Sequence, residues 1–479
     1  MAEDQLTPQE ENYADWFNEL VLKADLADYS PVRGCMVVKP YGWSLWENCQ
    51  AALDQRFKAT GHTNAAFPLL IPKSFLEKEK EHVEGFSPEL AVVTIGGGEE
   101  LEEPLVVRPT SETIIGYMYS KWVKSWRDLP VLINQWGSVV RWEMRTKLFL
   151  RTSEFYWQEG HTAHETEQEA IEETFRMLDV YEDFAVNEAA IPVVKGIKSQ
   201  TEKFAGAVMS TTIEAMMGDT KSLQSGTSHF LGQNFSKAFE IQFLGRNNEL
   251  QHAWTTSWGL STRMIGAIIM THGDNKGLRL PPRLAPIQVV IVPIYKNDEE
   301  KSSVMATADR IFTELKTNQI RVKMDDREGM TPGFKFNDWE MRGVPVRIEI
   351  GPKDVANGTV AAARRDVPGK EGKSFVSQQG LTEFVNNLMV DIQASMLKRA
   401  TEFRDAHIFE PNDLDELVET VKHGWALSHW CESAACEAKV KELSKASTRC
   451  IPLGQEENPG NCIVCGLPAK RKVIFGRAY

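Results

Sequence analysis

Hydrophobic and polar positions change their period in the middle of the chain, and this change predicts a small α/β domain. The stretch IQVVIVPI at 287–294 is almost continuously apolar, which is typical of a buried strand. Apolar residues then recur at helical spacing: Val304, Ala308, Ile311 and Leu315. The segments IRVKM, VPVRIEIG and TVAAARR predict further strands, and a helix follows over about 381–399. We therefore expect a mixed sheet with packed helices.

Changes of pattern divide the chain into three stretches. In the first, strand-like and helical patterns alternate irregularly until LRLPPRLAP, whose prolines interrupt regular structure. The last stretch is helical and then rich in cysteine. We predict domains at 1–285, 286–400 and 405–479, a number that fits a chain of 479 residues.

The segment from Lys39 to Pro72 predicts a turn, a long amphipathic helix and a strand that contains Pro68. Proline removes a donor from the hydrogen-bond ladder, so we expect this strand at a sheet edge or at an interface. An edge strand in a monomer and a dimer seam account equally well for this segment.

Charged residues interrupt a predicted hairpin at 141–161. Two strands joined by MRTKLFL would place Arg141 and Glu143 on one face of the first strand. A surface hairpin with weak ion pairs would account for this pattern. A second arginine, Arg263, starts the apolar helix MIGAIIM, where anions bind well. Because guanidinium groups donate two parallel hydrogen bonds to phosphate, the two arginines together favour a polyphosphate site.

Composition and charge limit the classes of function. A hydrophobic content of 42% is ordinary for a globular protein. The net charge of -13 argues against bulk, non-specific nucleic-acid binding but leaves room for a local basic surface. The start MAEDQLTPQEENYADWF has no apolar signal segment, and no later apolar run approaches the roughly 18 residues of a membrane span. We expect a cytoplasmic protein without a membrane partner.

Most of the seven cysteines crowd into the end of the chain, which suggests metal binding rather than disulfide bridges. CESAAC and CIVC give the spacings C-x4-C and C-x2-C. Thiolates at these spacings suit a tetrahedral zinc ion, and the predicted ligands are Cys431, Cys436, Cys462 and Cys465. Cys450 fits neither spacing and is left out of the set.

Three blocks of the sequence resemble the motifs of class II aminoacyl-tRNA synthetases: FPLLIP, RWE with its return RTSEFYWQEGH, and GLSTR. Further blocks narrow the resemblance to the prolyl-tRNA synthetase family: RPTSET, IPVVKG, KFAG, QSGTSHFLGQNFSKAFEI and THGDNKGLRLPPRLAP. The match runs from about residue 30 to Tyr479. So many ordered blocks in one chain are not expected by chance, although each block alone would be weak.

The resemblance implies an α+β fold. It consists of an antiparallel-sheet catalytic domain flanked by helices, an α/β anticodon-binding domain and a small C-terminal α/β module with structural zinc. A homodimer is also implied. The interval between His161 and Gly259 is too short for an editing insertion, so the chain resembles the archaeal and eukaryotic-like type. Correction of mischarged tRNA would then occur in trans.

The resemblance also implies the ATP site. Its residues are Arg141, Glu143, Arg151, Thr152, Phe155, Gln224, Thr227, Ser261 and Arg263. Arg141 would contact the α-phosphate and the proline carboxylate, and Arg263 would hold the outer phosphates. Mg²⁺ is expected on the phosphates, with Glu143 as a ligand directly or through water. Arg141, Glu143 and Arg263 are thus the predicted catalytic residues, and no general base for aminoacyl transfer emerges.

The implied L-proline site suits a compact apolar ring with a secondary amine. Its residues are Thr110, Glu112, Arg141, Trp157, Glu159, His161, Phe204 and His229. Thr110 and Glu112 would bind the amine, since a carboxylate facing an ammonium and an aromatic wall suit this ligand. A lone tryptophan is usually a core residue and a lone histidine is usually structural. Their clustering within the motifs favours the functional interpretation.

In the second domain, DWEMRGVPVRIEIGPKDV carries the candidates for reading the GG of proline anticodons: Glu340, Arg347, Lys353 and Asp354. Arginine, lysine and carboxylates can hydrogen-bond guanine edges. A solvated, charged strand edge explains each residue equally well when it is taken alone. The resemblance further implies that the last residue, Tyr479, folds back toward the active site.

The implied reaction activates L-proline with ATP to prolyl-AMP and pyrophosphate and then transfers proline to the 3′ end of tRNA(Pro). A paralogue that keeps the fold as a non-catalytic binding module is the alternative from another class. Loss of either motif arginine would favour that alternative, and both are present. A different specificity within the subclass is disfavoured by the proline-type blocks.

Overall fold

The computed structural model describes residues 5–82, 90–456 and 459–479. Among these residues, no helix is both long enough and apolar enough to cross a membrane. The chain forms one large sheet, one five-stranded sheet and several small sheets, with helices packed against the two larger ones.

The first stretch alternates short strands with helices. Its helices are α1 (Tyr13–Lys23), α2 (Pro40–Ala59), α3 (Lys73–His82), α4 (Glu112–Trp122), α5 (Glu167–Asp183), α6 (Asn234–Ala238) and α7 (Arg263–His272). Its strands are β1 (Ala27–Tyr29), β2 (Met36–Val38), β3 (Thr63–Asn64), β4 (Leu70–Pro72), β5 (Val92–Gly96), β6 (Glu99–Val107), β7 (Val131–Val140), β8 (Glu154–His164), β9 (Val193–Ile197), β10 (Met209–Met216), β11 (Ser222–Gly232), β12 (Gln242–Leu244), β13 (Leu250–His252) and β14 (Trp254–Ser261).

The remaining elements build the second domain and the C-terminal module. The helices are α8 (Asp298–Thr317), α9 (Pro332–Met341), α10 (Pro352–Asn357), α11 (Leu381–Ala406), α12 (Leu414–Thr420) and α13 (Ala434–Ser444). The strands are β15 (Val289–Pro293), β16 (Val322–Met324), β17 (Val346–Ile350), β18 (Thr359–Arg364), β19 (Lys373–Ser377), β20 (Ile408–Phe409), β21 (Trp425–His429), β22 (Ser447–Pro452), β23 (Gly460–Asn461), β24 (Pro468–Ala469) and β25 (Lys472–Gly476).

The large sheet confirms the expected antiparallel architecture and extends beyond the first stretch. Its strand order is β20-β21-β25-β22-β9-β10-β11-β14-β8-β7-β3, and every pair from β21 to β7 is antiparallel. Helix α5 packs on β10, β11 and β14 and buries Met177, Leu178 and Tyr181 in the main core. Strand β22 pairs with β9 at Ile451 and Ile197, so the C-terminal module and the catalytic region share one sheet.

The second domain has the mixed sheet that the hydrophobic pattern predicts. Its order is β16-β15-β17-β18-β19, with parallel pairing around β15 and antiparallel pairing from β17 to β19. The predicted helical stripe is confirmed, because Val304, Ala308, Ile311 and Leu315 are fully buried on α8. Helix α11 runs to Ala406, beyond the predicted end near 399, because its apolar spacing continues through Met396 and Ala400.

The predicted hairpin at 141–161 is wrong in its first strand. Strand β7 ends at Val140, so Arg141 and Glu143 do not alternate on a strand face. The segment between β7 and β8 instead folds inward and buries Leu148, Phe149 and Leu150 in the main core. Burying this apolar run removes more surface from water than continuing the ladder with charged residues would.

The prediction that a strand contains Pro68 is also wrong. Strand β4 begins at Leu70, after Pro68, and pairs with β6 at the edge of the small sheet β4-β6-β5. Proline cannot donate to a ladder, and the regular pairing begins only after it. The strand itself has the predicted edge position, and Leu69 and Leu70 are exposed beside it.

Candidate active site

Two adjoining cavities open on the large sheet. The first has a volume of about 280 Å³ and the second a volume of about 180 Å³. The residues shared by the two walls are Arg141, Trp157, Gln224, Thr227 and Gly259. They come from the segment after β7 and from strands β8, β11 and β14, so the ladder of the sheet sets their mutual positions. A substrate in one cavity therefore lies next to a substrate in the other.

The first cavity collects every residue that the sequence predicts for ATP. These are Arg141, Glu143, Arg151, Thr152, Phe155, Gln224, Thr227, Ser261 and Arg263. They derive from three parts of the chain, namely the segment 141–155, strand β11 and the junction of β14 with α7. The structure therefore brings together residues that are more than a hundred positions apart in sequence.

Arg263 is the first residue of α7, as the sequence predicts. Its Nε donates to the Leu150 carbonyl at 3.1 Å, and its backbone N–H donates to Ser261 Oγ at 3.2 Å. Burial, and then the charges of Arg141 and Arg151, lower the pKa of Arg263 to about 10. The guanidinium thus stays charged at neutral pH, at a helix N-terminus that already favours anions.

Arg141 lies where the two cavities meet. Its Nε donates to the Pro109 carbonyl at 2.9 Å, and its Cζ lies 5.4 Å from the ring centre of Phe155 and 5.3 Å from that of Trp157. Burial lowers the pKa of Arg141, whereas the carboxylates of Glu112 and Glu159 oppose that change. A guanidinium pKa is high enough for the charge to persist at neutral pH. The positively charged guanidinium of Arg141 therefore lies between the two cavities and lines both of them.

Glu143 and Arg151 form a pair beside the first cavity. Arg151 Nε lies 3.6 Å from Glu143 Oε2, and Glu143 Oε1 accepts a hydrogen bond from the Arg145 backbone at 3.0 Å. Glu143 is also fixed by its own N–H, which donates to Ser153 Oγ at 3.3 Å. Its carboxylate lines the cavity wall and offers oxygen atoms, the ligand type that Mg²⁺ prefers.

The second cavity collects every residue predicted for L-proline. These are Thr110, Glu112, Arg141, Trp157, Glu159, His161, Phe204 and His229. Trp157, Glu159 and His161 reach it together because alternate residues of β8 share one face. On the opposite face, a Cβ atom at Gly160 would lie 1.9 Å from the indole of Trp258, so only glycine allows this packing.

A buried carboxylate network forms the floor of the second cavity. Glu159 accepts hydrogen bonds from Ser111 Oγ at 2.5 Å, from Gln135 Nε2 at 2.8 Å and from His161 Nε2 at 3.0 Å. Burial would raise the pKa of Glu159, but the hydrogen bond and charge of His161, together with the hydrogen bonds from Ser111 and Gln135, outweigh burial and lower that pKa. Thr110 Oγ1 donates to Glu112, which is itself 6% exposed. Two carboxylates thus face a pocket that can receive an ammonium group.

The two histidines of the second cavity carry opposite pKa shifts. Burial would lower the pKa of His161, but Glu159, and then Glu112, outweigh burial and raise it. Burial, followed by the charges of Lys198, Arg141 and His161, lowers the pKa of His229 to about 3. His229 is therefore neutral at physiological pH, and its ring stacks on Phe204 with 4.8 Å between centres. The pair offers an apolar, flat surface to a ring-shaped ligand.

Sequence reasoning missed part of the wall of the second cavity. Lys198, Glu202 and Lys203 also line the cavity, from the segment between β9 and β10. Lys198 Nζ donates to Gln224 Oε1 at 2.9 Å and so fixes the orientation of a residue shared by both cavities. The blocks IPVVKG and KFAG flank this segment, and extending the resemblance across the interval would have included it.

In the second domain, a cavity of about 500 Å³ holds two of the four anticodon candidates, Glu340 and Arg347. Arg347 Nη1 donates to Glu340 Oε1 at 3.1 Å, and Arg347 Nε donates to Glu349 Oε1 at 3.1 Å. The guanidinium lies over the ring of Phe336, 4.0 Å from its centre. These contacts hold a flat hydrogen-bonding surface inside an open cavity.

The structure does not bring Lys353 and Asp354 to this cavity. Both lie on α10, after the far end of β17. Asp354 Oδ2 accepts from the Gly351 N–H at 2.9 Å and Oδ1 accepts from Thr359 Oγ1 at 3.3 Å, so its carboxylate fixes the start of α10. Sequence reasoning missed Glu349, which shares a strand face with Arg347 two residues earlier and could have been found from that alternation.

The C-terminal module brings together the four predicted metal ligands. The Sγ atoms of Cys431, Cys436, Cys462 and Cys465 all lie within 4.8 Å of one another, and two of the pairs are separated by 3.6 Å. Tetrahedral zinc with bonds of about 2.3 Å would need sulfur separations of about 3.8 Å, so the thiols fit the ion. Cys450 is buried on β22 against Gly196, outside this cluster.

The last residue packs against the catalytic region. Tyr479 Oη donates to Asp219 Oδ2 at 2.5 Å, and its backbone N–H donates to the Ser222 carbonyl at 3.2 Å. Its ring lies 5.0 Å from Lys147 Nζ, in the segment that leads from Arg141 to Arg151. The C-terminus therefore contacts the element that carries the predicted phosphate-binding residues.

Family profiles match three parts of the chain. The profile described as tRNA synthetase class II core domain (G, H, P, S and T) matches residues 93–272. The profile of an anticodon binding domain matches residues 288–386. The profile described as prolyl-tRNA synthetase, C-terminal, matches residues 414–479. The three matches follow the order of the large sheet, the mixed sheet and the cysteine module.

Curated relatives are similar along the whole chain. A proline–tRNA ligase of Chloroflexus aurantiacus is 58% identical over 481 residues, which cover 100% of both chains. A chloroplastic/mitochondrial proline–tRNA ligase of Arabidopsis thaliana is 53% identical over 478 residues, 99% of this chain and 88% of the relative. A proline–tRNA ligase of Bacteroides fragilis is 53% identical over 493 residues, 99% of both chains.

Proposed function

The chain belongs to the prolyl-tRNA synthetase family, and on this premise we propose that its two adjoining cavities divide the family's reaction between ATP and L-proline. ATP binds in the first cavity and L-proline in the second. The supporting observation is that each predicted set of residues lines one cavity completely, with Arg141 in both walls. The anticodon of tRNA(Pro) is read in the second domain.

Adenylate formation is a transfer of a nucleotidyl group. A carboxylate oxygen of proline attacks the α-phosphorus of ATP, a new phosphorus–oxygen bond forms, and pyrophosphate leaves with the electron pair of the broken bond. The protein contributes mainly position and charge to such a step. Arg141 contacts both reacting groups from the junction of the cavities, and Arg263 holds the outer phosphates at the start of α7. Both guanidinium groups stabilise negative charge as it develops.

Mg²⁺ would be held at the first cavity by Glu143 and the phosphates. The ion supplies charge neutralisation on the phosphate oxygens when it is bound. The chain's own residues orient the nucleotide. Phe155 stacks on the adenine, Arg151 and Thr152 face it, and Gln224, Thr227 and Ser261 complete the ribose and phosphate contacts.

L-proline is recognised by charge at one end and by shape at the other. Thr110 and Glu112 receive its secondary ammonium, since a buried carboxylate gains most from an opposite charge. Trp157, Phe204 and the neutral His229 enclose its ring. In the second step, the 3′-terminal ribose hydroxyl of tRNA(Pro) attacks the carbonyl carbon of prolyl-AMP, and AMP leaves.

Proline-dependent exchange of labelled pyrophosphate into ATP tests this proposal. We expect exchange with L-proline and Mg²⁺, and charging of tRNA(Pro) when it is added. Absence of exchange would favour the non-catalytic paralogue. Alanine and cysteine should be assayed in parallel, because an apolar pocket rejects a smaller ligand by only about 1 to 3 kcal/mol per methylene. Faster exchange with another amino acid would favour a different specificity.

We further propose that the four-cysteine cluster holds a structural zinc ion. Its support is the donor set and its spacing, which fit tetrahedral thiolate coordination. Binding a structural metal contributes folding free energy, so metal removal or Cys462→Ser should lower the melting temperature. Cys450→Ser serves as the control for loss of a thiol outside the cluster. An unchanged melting curve in verified metal-free protein would contradict the proposal.

A homodimer in the cytoplasm completes the proposal. The open edge strand β4, with exposed Leu69 and Leu70, and the exposed Val92 and Ile95 on β5 supply apolar surface for a partner subunit. Sedimentation equilibrium tests the dimer, and Leu70→Asp should shift it to monomer. The cysteines are free thiols, and four of them are arranged as metal ligands rather than as disulfide pairs, which supports a reducing compartment.

A further inference from the structure

We propose that Glu437, on α13 of the C-terminal module, is a positioning residue that holds one wall of the proline cavity. The wall is the segment 198–204, which lies between β9 and β10 and belongs to neither strand. Its residues that line the cavity are Lys198, Glu202, Lys203 and Phe204. The inference rests on the proposed assignment of this cavity to L-proline.

Glu437 is 4% exposed and accepts hydrogen bonds from hydroxyl groups of two separate elements. Ser199 Oγ donates to its Oε1 at 3.1 Å, and Thr201 Oγ1 donates to its Oε2. Thr448 Oγ1, on β22, donates to the Glu437 carboxylate and lies 3.0 Å from Ser199 Oγ. A single carboxylate therefore joins segment 198–204 to both α13 and β22.

The Lys198 N–H still donates to the Ser210 carbonyl at 2.9 Å, but the residues after Lys198 are not part of a ladder and depend on such contacts. Within the segment, the Lys203 N–H donates to the Ser199 carbonyl at 3.0 Å and closes a turn. At its inner end, the Phe204 N–H donates to Ser210 Oγ at 3.0 Å, and Ser210 Oγ lies 2.8 Å from His229 Nδ1. Both ends of the segment are thus fixed by the large sheet, and the turn between them is held by Glu437 through Ser199 and Thr201.

A second contact from the module reinforces the same wall. Arg449, on β22, donates from Nε to Glu214 Oε2 at 3.2 Å, and Lys198 Nζ lies 3.7 Å from Glu214 Oε1. Lys198 in turn holds Gln224 at 2.9 Å. The C-terminal module therefore contacts the cavity wall at two places. One is the turn that carries Ser199 and Thr201, and the other is the side chain of Lys198. Glu437 directly follows the cysteine-cluster residue Cys436, so the cluster and the wall share one helix.

Loss of the carboxylate leaves buried hydroxyl groups without their acceptor and releases the turn 199–203, whose Glu202 and Lys203 line the cavity. Displacement of a binding wall by about an ångström weakens positioning by about tenfold to a hundredfold. The effect should fall on proline, because the segment lines the second cavity and not the first. A residue that only stabilised the module would lower the melting temperature and leave both substrate affinities unchanged.

Glu437→Ala tests the inference in the full-length, zinc-loaded protein. We expect the Kd of L-proline, measured by calorimetry, and the KM of proline in pyrophosphate exchange to rise by about tenfold or more. The KM of ATP and the zinc content should stay within about twofold of the parent. Glu437→Gln, which keeps one acceptor oxygen, should lose less than the alanine variant. Glu442→Ala, exposed on the same helix, is the matched control.

A readout without substrate separates this inference from the proposed function. Trypsin cleavage after Lys203 in the unliganded protein should be faster in Glu437→Ala than in Glu442→Ala, because the turn is released. Cleavage and proline affinity equal to the control would overturn the inference. A parent that binds no proline would overturn the cavity assignment instead, and the cleavage rates would still decide whether Glu437 holds the segment.

Discussion

The active-site cavities and the cavity of the second domain position their charged residues in different ways. In the active site, strands β8 and β11 of one sheet carry Glu159 and Gln224, and Arg141 directly follows β7 of the same sheet, with its N–H donating to the Ser153 carbonyl at 2.8 Å. In the second domain, β17 carries Arg347, but the guanidinium is held by the side chains around it, namely Glu340, Glu349 and the ring of Phe336. The first arrangement depends on the backbone ladder, and the second depends on a local ion-pair network.

The difference has consequences for function. A residue placed by a sheet is held before any substrate arrives, which suits stabilisation of a transition state. A residue placed by ion pairs can exchange one partner for a ligand, which suits recognition of a base edge. Arg141 should therefore matter for the rate of chemistry, whereas Arg347 should matter for the choice of tRNA.

The largest expected effect is the loss of adenylate formation in Arg141→Ala. This change removes the cation at the junction of the cavities and leaves the core side chains in place. Loss of one such contact costs about 3 to 4 kcal/mol, or about a hundredfold to a thousandfold in rate. Proline-dependent pyrophosphate exchange measures the rate, and circular dichroism checks the fold. Arg145→Ala, exposed on the same segment, is the control. Exchange within a few-fold of the parent would contradict the assignment.

A smaller and more selective effect is expected for Arg347→Ala. One lost bidentate base contact costs about 1 to 3 kcal/mol in kcat/KM for tRNA and should relax discrimination at the base that it reads. Pyrophosphate exchange should stay near the parent rate, because Arg347 lies in a different cavity from the residues proposed for adenylation. A phosphate contact would instead weaken all tRNAs alike and reduce the salt dependence.

The control for this comparison is Arg310→Ala, since Arg310 is half-exposed on α8 of the same domain. The measurement compares tRNA that carries GG at the second and third anticodon positions with tRNA in which one of these bases is replaced. Equal charging of both by Arg347→Ala and by the parent would show that Arg347 is only a solvated strand residue.

The smallest expected effect is a pH dependence of the free energy of unfolding, which arises because His229 is buried in the active site. His229 has a pKa of about 3 in the folded protein, against about 6.5 in the unfolded chain. The unfolded chain therefore gains a proton first as the pH falls below about 6.5, and the folded protein loses stability. Between pH 8 and 5.5, His229 should lower the free energy of unfolding by about 1 kcal/mol. Urea unfolding of His229→Asn should show a correspondingly weaker pH dependence.

The contribution of His161 to the free energy of unfolding should change with pH in the opposite direction. Its pKa is raised in the folded protein, so its stabilising contribution is complete below about pH 6.5 and is lost as the pH rises through the folded pKa. Nuclear magnetic resonance of the two imidazole rings measures both directions in one titration. A His229 ring that titrates near pH 6.5 would show that the cavity is less buried than the structure indicates.

Hydrophobic periodicity predicted the helices that bury a single apolar face and the strands that consist of one continuous apolar run. The helix α8 and the strand β15 are examples, because their buried residues follow a single rule. Periodicity failed between Val140 and Glu154, where charged residues alternate as in a strand. There the burial of Phe149 and its neighbours, a tertiary effect, decides the path of the chain.

Family blocks indicated which residues line each cavity better than spacing did. Both cavity sets came from the resemblance, and the ladder of the sheet explains why such scattered residues meet. The structure brings only two of the four anticodon candidates into one cavity, since Lys353 and Asp354 follow Arg347 closely in sequence but lie beyond the far end of β17. Sequence proximity does not give spatial proximity along an extended strand, where each residue advances by about 3.3 Å.

The pairing of β22 with β9 also bears on how the chain folds during synthesis. Strand β9 lies near residue 195, whereas its partner β22 lies near residue 450, so more than half of the chain separates the two. Domains generally fold as they emerge from the ribosome, but a contact this distant in sequence must wait until the residues of β22 have been synthesised. The edge of the catalytic sheet at β9 stays uncovered until β22, near residue 450, has emerged from the ribosome. A chain that stalls early would therefore display an open strand edge, which is a template for aggregation and a target for chaperones.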